Sequence, residues 1–296
     1  SLNRIPVALV IGTADDVVPP AANGDLLAAN YRQLGGTVTI WHKPGDGHHP
    51  HGLHPPHPLR RLLTGITPPT TTPAPSSEYR AANQGWPEGL WRLAFDQLKS
   101  TAAAHPDTEI AFLGDSISQG LTGHADRLAH PDGKRPIDQH LGNRKTLSLG
   151  LSGDRTEHLL WRISHGQFDG LAPRWIVVMI GVNNINDLRH TGHETALGTT
   201  IVATLLRKTL PDSKILLLGC FPAGQSPDDP RRAAIDILHQ EIAPLADGKA
   251  IFYQDLRPLF LNPDGTLNAN MSGDAIHITP AGQNAWLTAI KPLLDR

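Results

Sequence analysis

Apolar residues along the second half of the chain fall into short unbroken runs: Ile110–Leu113, Thr146–Leu149, Trp175–Ile180, Lys214–Leu218 and Ala250–Tyr253. Each is four to six residues long and most are bounded by Gly, Pro or Asp. Such runs suit strands buried on both faces of a parallel sheet. Between them the apolar positions recur at helical spacing, over Gly89–Ala104, Thr156–Ser164, Glu194–Thr209 and Arg231–Ala246. A last helix is predicted over Pro280–Leu294, with Thr279 as N-cap and Pro280 at its first position. Strand and helix in alternation predict a doubly wound α/β sheet with right-handed crossovers. On such sheets ligands bind beyond the carboxyl ends of the strands.

The first 57 residues repeat the pattern on a smaller scale. Pro6–Ile11 and Thr37–Trp41 read as strands, and Asn23–Leu34 between them as a helix ended by Gly35 and Gly36. Seven prolines then occur in the 21 residues from Pro55 to Pro75, with Thr70, Thr71 and Thr72 among them. That density blocks helix and sheet alike and favours an extended connection. The expected organisation is a small N-terminal segment (1–57), a Pro/Thr-rich linker (58–77) and a main domain (78–296).

Composition narrows the function classes. The net charge of -2, from 26 basic and 28 acidic residues, gives no global field to hold nucleic acid. A single cysteine, Cys220, builds neither a disulfide nor a cysteine zinc site and is expected as a small buried residue. No apolar run is long enough to span a bilayer, and the opening Ser-Leu-Asn-Arg carries no signal-peptide pattern. The chain is expected to be soluble, and exported if its substrate is a polysaccharide.

The strand ends carry the candidate chemistry. Gly114-Asp115-Ser116-Ile117 follows the first strand of the main domain. It places Ser116 at the sheet edge, as a nucleophile or as the cap of the next helix. Leu151-Ser152-Gly153-Asp154 follows the second. There Gly153 could let the backbone approach a ligand, although taken alone the segment reads better as a plain turn with Asp154 as N-cap. Asn183 follows the third strand and offers a side-chain amide, or is a turn residue. Asp274-Ala-Ile-His277 precedes the last helix, a spacing that lets the carboxylate orient the imidazole. Together these segments supply a nucleophile, a base, an orienting acid and further oxyanion donors, the parts that acyl transfer needs. Trp86, Trp91 and Trp161 are expected as core.

In these blocks the sequence resembles the SGNH (GDSL-type) hydrolases, which carry Ser, Gly, Asn and His in four separate segments. The stretches Phe112–Ile117, Ser152–Thr156, Leu160–Arg162 and Met179–Asn184 are most similar to the branch containing the platelet-activating-factor acetylhydrolase catalytic subunits. The resemblance covers about residues 78–296. It implies a flavodoxin-like three-layer sandwich around a five-stranded parallel sheet. It also implies Ser116 as nucleophile, His277 as base, Asp274 as its orienting acid, and an oxyanion hole of Ser116 N–H, Gly153 N–H and the Asn183 amide. No metal or organic cofactor is implied. The third block departs from the usual Gly-x-Asn-Asp by having Asn184 in last place. The implied activity is a short-chain esterase, with an acetylated carbohydrate as the expected substrate and an acetylated phospholipid or lysophospholipid as the alternative. The related acetylhydrolases form dimers, so a homodimer is one state the resemblance admits. A non-catalytic binding module on the same fold is expected to have lost one of Ser116, Asp274 and His277, and all three are present.

Residues 1–57 resemble the last strand–helix–strand unit of an α/β-hydrolase, with Asp15 after one strand and His48 after the next. No Gly-x-Ser-x-Gly elbow occurs in the chain, so the segment is expected to be non-catalytic. His42, His48, His49, His51, His54 and His57 crowd this region. The prolines among them leave no helical i,i+4 pair, so a metal site is not expected here.

Overall fold

The computed structural model describes residues 7–48, 69–76, 78, 86–122, 136–142, 144–186 and 189–296. It divides into two compact units, 1–66 and 67–296. The histidines at 49, 51, 54 and 57 lie outside the described residues, as does the part of the expected linker from 58 to 68.

In the first unit β1 (Val7–Gly12) and β2 (Val38–Lys43) pair in parallel across α1 (Gly24–Gln33). The strands are mostly half-buried, and Val17, Leu27 and Leu34 are exposed.

The second unit begins with α2 (Trp91–Ala103) and β3 (Ile110–Gly114), followed by α3 (Ser116–Gln119) and α4 (Pro136–Leu141). Then come β4 (Thr146–Gly150), α5 (Thr156–Ser164), β5 (Trp175–Met179), α6 (Val182–Ile185) and α7 (Gly192–Thr209). The chain closes with β6 (Lys214–Gly219), α8 (Pro230–Ile242), β7 (Ile251–Tyr253) and α9 (Pro280–Leu294). The five strands of this unit form one parallel sheet in the order β4-β3-β5-β6-β7. The order reverses at β3, so the carboxyl ends of β4, β3 and β5 flank a natural crevice.

Alternation along the strands builds the two outer layers. Ile110, Phe112, Trp175, Val177, Leu216 and Leu218 pack on one face with Trp286, Leu287 and Ile290 of α9. Ala111, Leu113, Ile176, Val178, Ile215 and Leu217 pack on the other with Leu159, Leu160 and Ile163 of α5 and Val202 and Leu206 of α7. Burial on both faces is why these strands read as unbroken apolar runs. Cys220 lies fully inside the first cluster, where burial, the largest influence on it, pushes its thiol pKa up. Trp86, Trp91 and Trp161 form a third buried group with Phe95.

The Pro/Thr segment departs from its expected role. Residues 69–76 are bonded onto the second unit. Thr70 Oγ1 donates to the Glu194 carbonyl (2.6 Å), Thr156 Oγ1 donates to the Thr70 carbonyl (3.2 Å), and Ala74 N–H donates to the Glu157 carbonyl (3.1 Å). Glu78 follows and accepts from Arg155 (2.5 Å) and Arg189 (2.7 Å). Proline fixes the backbone in an extended form but leaves its carbonyls and neighbouring hydroxyls able to bond. The stretch is therefore a strap over the N-termini of α5 and α7.

Candidate active site

Ser116 sits at the carboxyl edge of β3. It is the first residue of α3 and not its cap. That role falls to Asp115, whose Oδ1 accepts the Ile117 N–H at 3.0 Å. The turn is tight because β3 ends against its neighbours. A Cβ on Gly114 would lie 2.2 Å from the Met179 carbonyl oxygen and 2.3 Å from Ser118 Oγ. Glycine is needed there for close approach.

His277 reaches Ser116 from the loop before α9. Its Nε2 lies 2.9 Å from Ser116 Oγ, and its Nδ1 lies 2.7 Å from Asp274 Oδ2. Asp274 Oδ1 also accepts the N–H groups of His277 (2.6 Å) and Ile276 (3.0 Å). Partial burial acts to raise the Asp274 pKa. The hydrogen bonds from the His277 ring and from the two backbone N–H groups outweigh it and hold the carboxyl below its ordinary value. The imidazole is thus fixed with one nitrogen toward a carboxylate and the other toward a hydroxyl.

Gly153 and Asn183 come to the same edge. Gly153 has φ +79°, in the left-handed region that glycine tolerates. Its loop is pinned on both sides: Leu151 N–H donates to the Gly114 carbonyl (3.1 Å), Ser152 N–H to Gln119 Oε1 (2.7 Å), and Trp86 Nε1 to the Ser152 carbonyl (3.0 Å). Gln119 lies on the same short helix as Ser116, so loop and serine are tied through one side chain. Asn183 Nδ2 donates to the Asp154 carbonyl at 3.0 Å. One amide hydrogen is used there and a second remains on the same nitrogen.

Asp154 is not an N-cap. Arg155 occupies the cap position of α5. The Asp154 carboxylate is fully buried and accepts from Trp91 Nε1 (2.6 Å) and from Arg162 Nη1. Arg162, also fully buried, donates further to the Leu149 carbonyl and to Gln167 Oε1. A buried ion pair held by this many bonds fixes the residue after Gly153. Sequence reasoning missed it because Trp91 lies 63 positions away from Asp154. The readable trace is Arg162, eight residues after Asp154 and in the last turn of α5.

Asn184 points away from the reacting edge. Its Oδ1 accepts the Thr156 N–H (3.0 Å), and its Nδ2 donates to Glu157 Oε2 (3.0 Å) and Thr156 Oγ1 (3.2 Å). The amide therefore serves a carboxylate that is itself fully buried. An aspartate in its place would set two carboxylates against each other.

In the first unit Asp15 and His48 are also brought together, with His48 Nδ1 3.1 Å from Asp15 Oδ2. Asp15 Oδ1 accepts from Val18 (2.8 Å) and Val17 (3.0 Å), and the Val18 N–H is the largest influence holding its carboxyl below its ordinary value. Residues 7–48 contain no serine or cysteine. Among the described residues, no three His, Cys, Asp or Glu side chains are grouped so as to hold a metal ion. No described helix is long and apolar enough to cross a membrane.

The parallel five-stranded sandwich, with a hydroxyl, an imidazole and a carboxylate in line at its edge, is the architecture of an ester hydrolase. Residues 112–285 match the family model described as the GDSL-like lipase/acylhydrolase family. The chain belongs to that family and is a carboxylic ester hydrolase. Among curated relatives, the platelet-activating factor acetylhydrolase IB subunit alpha1 of Rattus norvegicus is 29% identical over 191 residues, 64% of this chain and 76% of the relative. The human protein of the same name is 26% identical over 235 residues, 79% of this chain and 93% of the relative. Among solved structures, a GDSL-like lipase from Bacteroides thetaiotaomicron superposes with a TM-score of 0.55 at 19% identity, over 68% of this chain and 97% of the other.

Proposed function

We propose that the chain is a serine esterase that removes short acyl groups, acetyl above all, from a carbohydrate. The observation that carries the serine mechanism is the unbroken line Ser116 Oγ, His277 Nε2, His277 Nδ1, Asp274 Oδ2, with 2.9 Å and 2.7 Å at its two hydrogen bonds. In this reading His277 Nε2 takes the hydroxyl proton as Ser116 Oγ bonds to the acyl carbon. The carbonyl electrons pass to an oxyanion held by the N–H groups of Ser116 and Gly153 and by the second Asn183 amide hydrogen. As the tetrahedral intermediate collapses, the C–O bond to the alcohol breaks and His277 returns the proton to the leaving oxygen. Water then repeats the sequence on the acyl-enzyme and releases the acid. Asp274 keeps the imidazole in the tautomer that leaves Nε2 as acceptor.

A preference for acetyl is supported by the curated relatives named as acetylhydrolases. A polar leaving group is supported by the surface. Among the described residues of the second unit, the exposed large apolar side chains are Leu90, Leu197 and Leu259, which sit on separate elements. The same relatives' names favour a second reading, an acetylated phospholipid. Hydrolysis of p-nitrophenyl acetate by wild type and by Ser116→Ala tests the mechanism, which fails if the variant keeps its activity. Acetate release from acetylated xylo-oligosaccharides against an acetylated phospholipid in micelles tests the substrate. A higher kcat/KM on the phospholipid would replace the carbohydrate assignment.

A further inference from the structure

Arg232, in the first turn of α8, is a buried cation whose hydrogen bonds among the described residues go to backbone carbonyls. Among the described residues no carboxylate oxygen lies within 4.0 Å of its guanidinium. It donates through Nε to the Ala223 carbonyl (2.9 Å) and through Nη2 to the Gly224 carbonyl (2.8 Å). Asp229 and Asp236 act on it as nearby charges without touching it, so its direct contacts are carbonyls, which offset the burial of a guanidinium poorly. Asp236 and Asp255 line the same cavity of about 350 Å3 as Arg232, yet both are taken by Arg257.

The turn that Arg232 grips leads directly to the catalytic loop. Gly224 N–H donates to the Ala275 carbonyl at 2.9 Å. Ala275 lies between Asp274 and His277 and has φ +62°, one of two non-glycine residues in the left-handed region among those described. Such a conformation is unfavourable for an L-residue and persists only where its surroundings hold it. The turn between the acid and the base is thus strained, and an external N–H holds it. We propose that Arg232 is a positioning residue for His277, acting through the Ala223–Gly224 turn and the Ala275 carbonyl.

This rests on His277 being the base, so Ser116→Ala is assayed alongside. Full activity in that variant would sink the catalytic assignment itself, whatever Arg232 does. The first test is Arg232→Met, which keeps the apolar stem and removes the donors. The expected result is kcat lowered about ten- to a hundred-fold, the loss that small misplacements of a reacting group produce, with KM close to wild type. The second test is Arg232→Ala, whose vacated site opens on the cavity. Guanidinium at millimolar concentration should recover much of the lost kcat, and ammonium at the same ionic strength should not. The third is Ala275→Gly in the Arg232→Met background, which removes the strain to be held and should restore part of kcat. Wild-type kcat in Arg232→Met overturns the proposal. So does a loss that neither guanidinium nor Ala275→Gly relieves, because the arginine would then be holding the fold and not the turn. If Arg232→Ala does not fold, Arg232→Met with and without Ala275→Gly decides the matter.

Discussion

At the scale of single residues, two carboxylates near the site behave differently for reasons the bonds make plain. Asp274 is half exposed, yet its hydrogen bonds hold its pKa below the ordinary value against the effect of burial. A group depressed in the folded state contributes stability that is present above its unfolded pKa and lost as pH falls through the lower folded value. Asp274 therefore stays ionised to a lower pH than an ordinary aspartate. The acid limb of log kcat/KM against pH should have a slope of one, because Asp274 adds no second proton to it. A slope of two would place a second group in that step. Asn184 gives the converse case. Its amide donates to the buried Glu157 carboxylate, so Asn184→Asp sets an acceptor against an acceptor. It should cost about 2 kcal/mol or more, seen as a thermal midpoint lower by at least about 4 °C. The asparagine was visible in the sequence as a departure from the family pattern, but its reason was not, because Glu157 and Thr156 reach it from another element.

Among the elements, the five strands of the main sheet were legible to within a residue, because burial on both faces leaves uninterrupted apolar runs. The four-residue helices α3 and α6 were not, since they are too short to show a period. Both begin within three residues of a strand's end, and they position Ser116 and Asn183. The four site blocks could be read as separate segments, whereas their mutual bonds arise only in the fold. The strap shows a related limit. Composition reports backbone stiffness, but docking depends on what lies opposite, here the N-termini of α5 and α7. Glu78 at the end of the strap makes the docking measurable. Burial acts to raise its pKa, but hydrogen bonds and charge from Arg155, then from Arg189, pull it down to about 2. Its stabilising contribution is complete above the ordinary value of about 4.5 and is lost as pH falls toward 2. Glu78→Gln should lower stability at neutral pH by about 1–3 kcal/mol. In acid titrations followed by circular dichroism the two proteins should converge near pH 2. A gap of constant size across that range would mean that the carboxylate's charge is not what holds the strap.

At the scale of the molecule, the same acid–base motif occurs among the described residues of each unit, and the copy in the second unit meets a serine hydroxyl. Asp274 and His277 stand 2.7 Å apart with Ser116 in line. Asp15 and His48 stand 3.1 Å apart beyond the ends of two parallel strands, and residues 7–48 hold neither serine nor cysteine. The nearest hydroxyl to Asp15 along the chain, on Thr13, already donates to the Lys43 carbonyl (3.3 Å) and accepts the Gly45 N–H (2.8 Å). A carboxylate-oriented imidazole supports acyl transfer only beside a nucleophile. The contact also has a structural consequence, since it ties the loop after β1 to the loop after β2. Two predictions of opposite sign follow for the full chain. Ser116→Ala should abolish esterase activity entirely. His48→Ala should leave kcat/KM on p-nitrophenyl acetate at the wild-type value while loosening the first unit, detectable as faster proteolysis within residues 7–48. If Ser116→Ala retained activity that His48→Ala then removed, the first unit would be a second catalytic centre. If His48→Ala alone lowered kcat/KM, the two units would be coupled through the folding of the first.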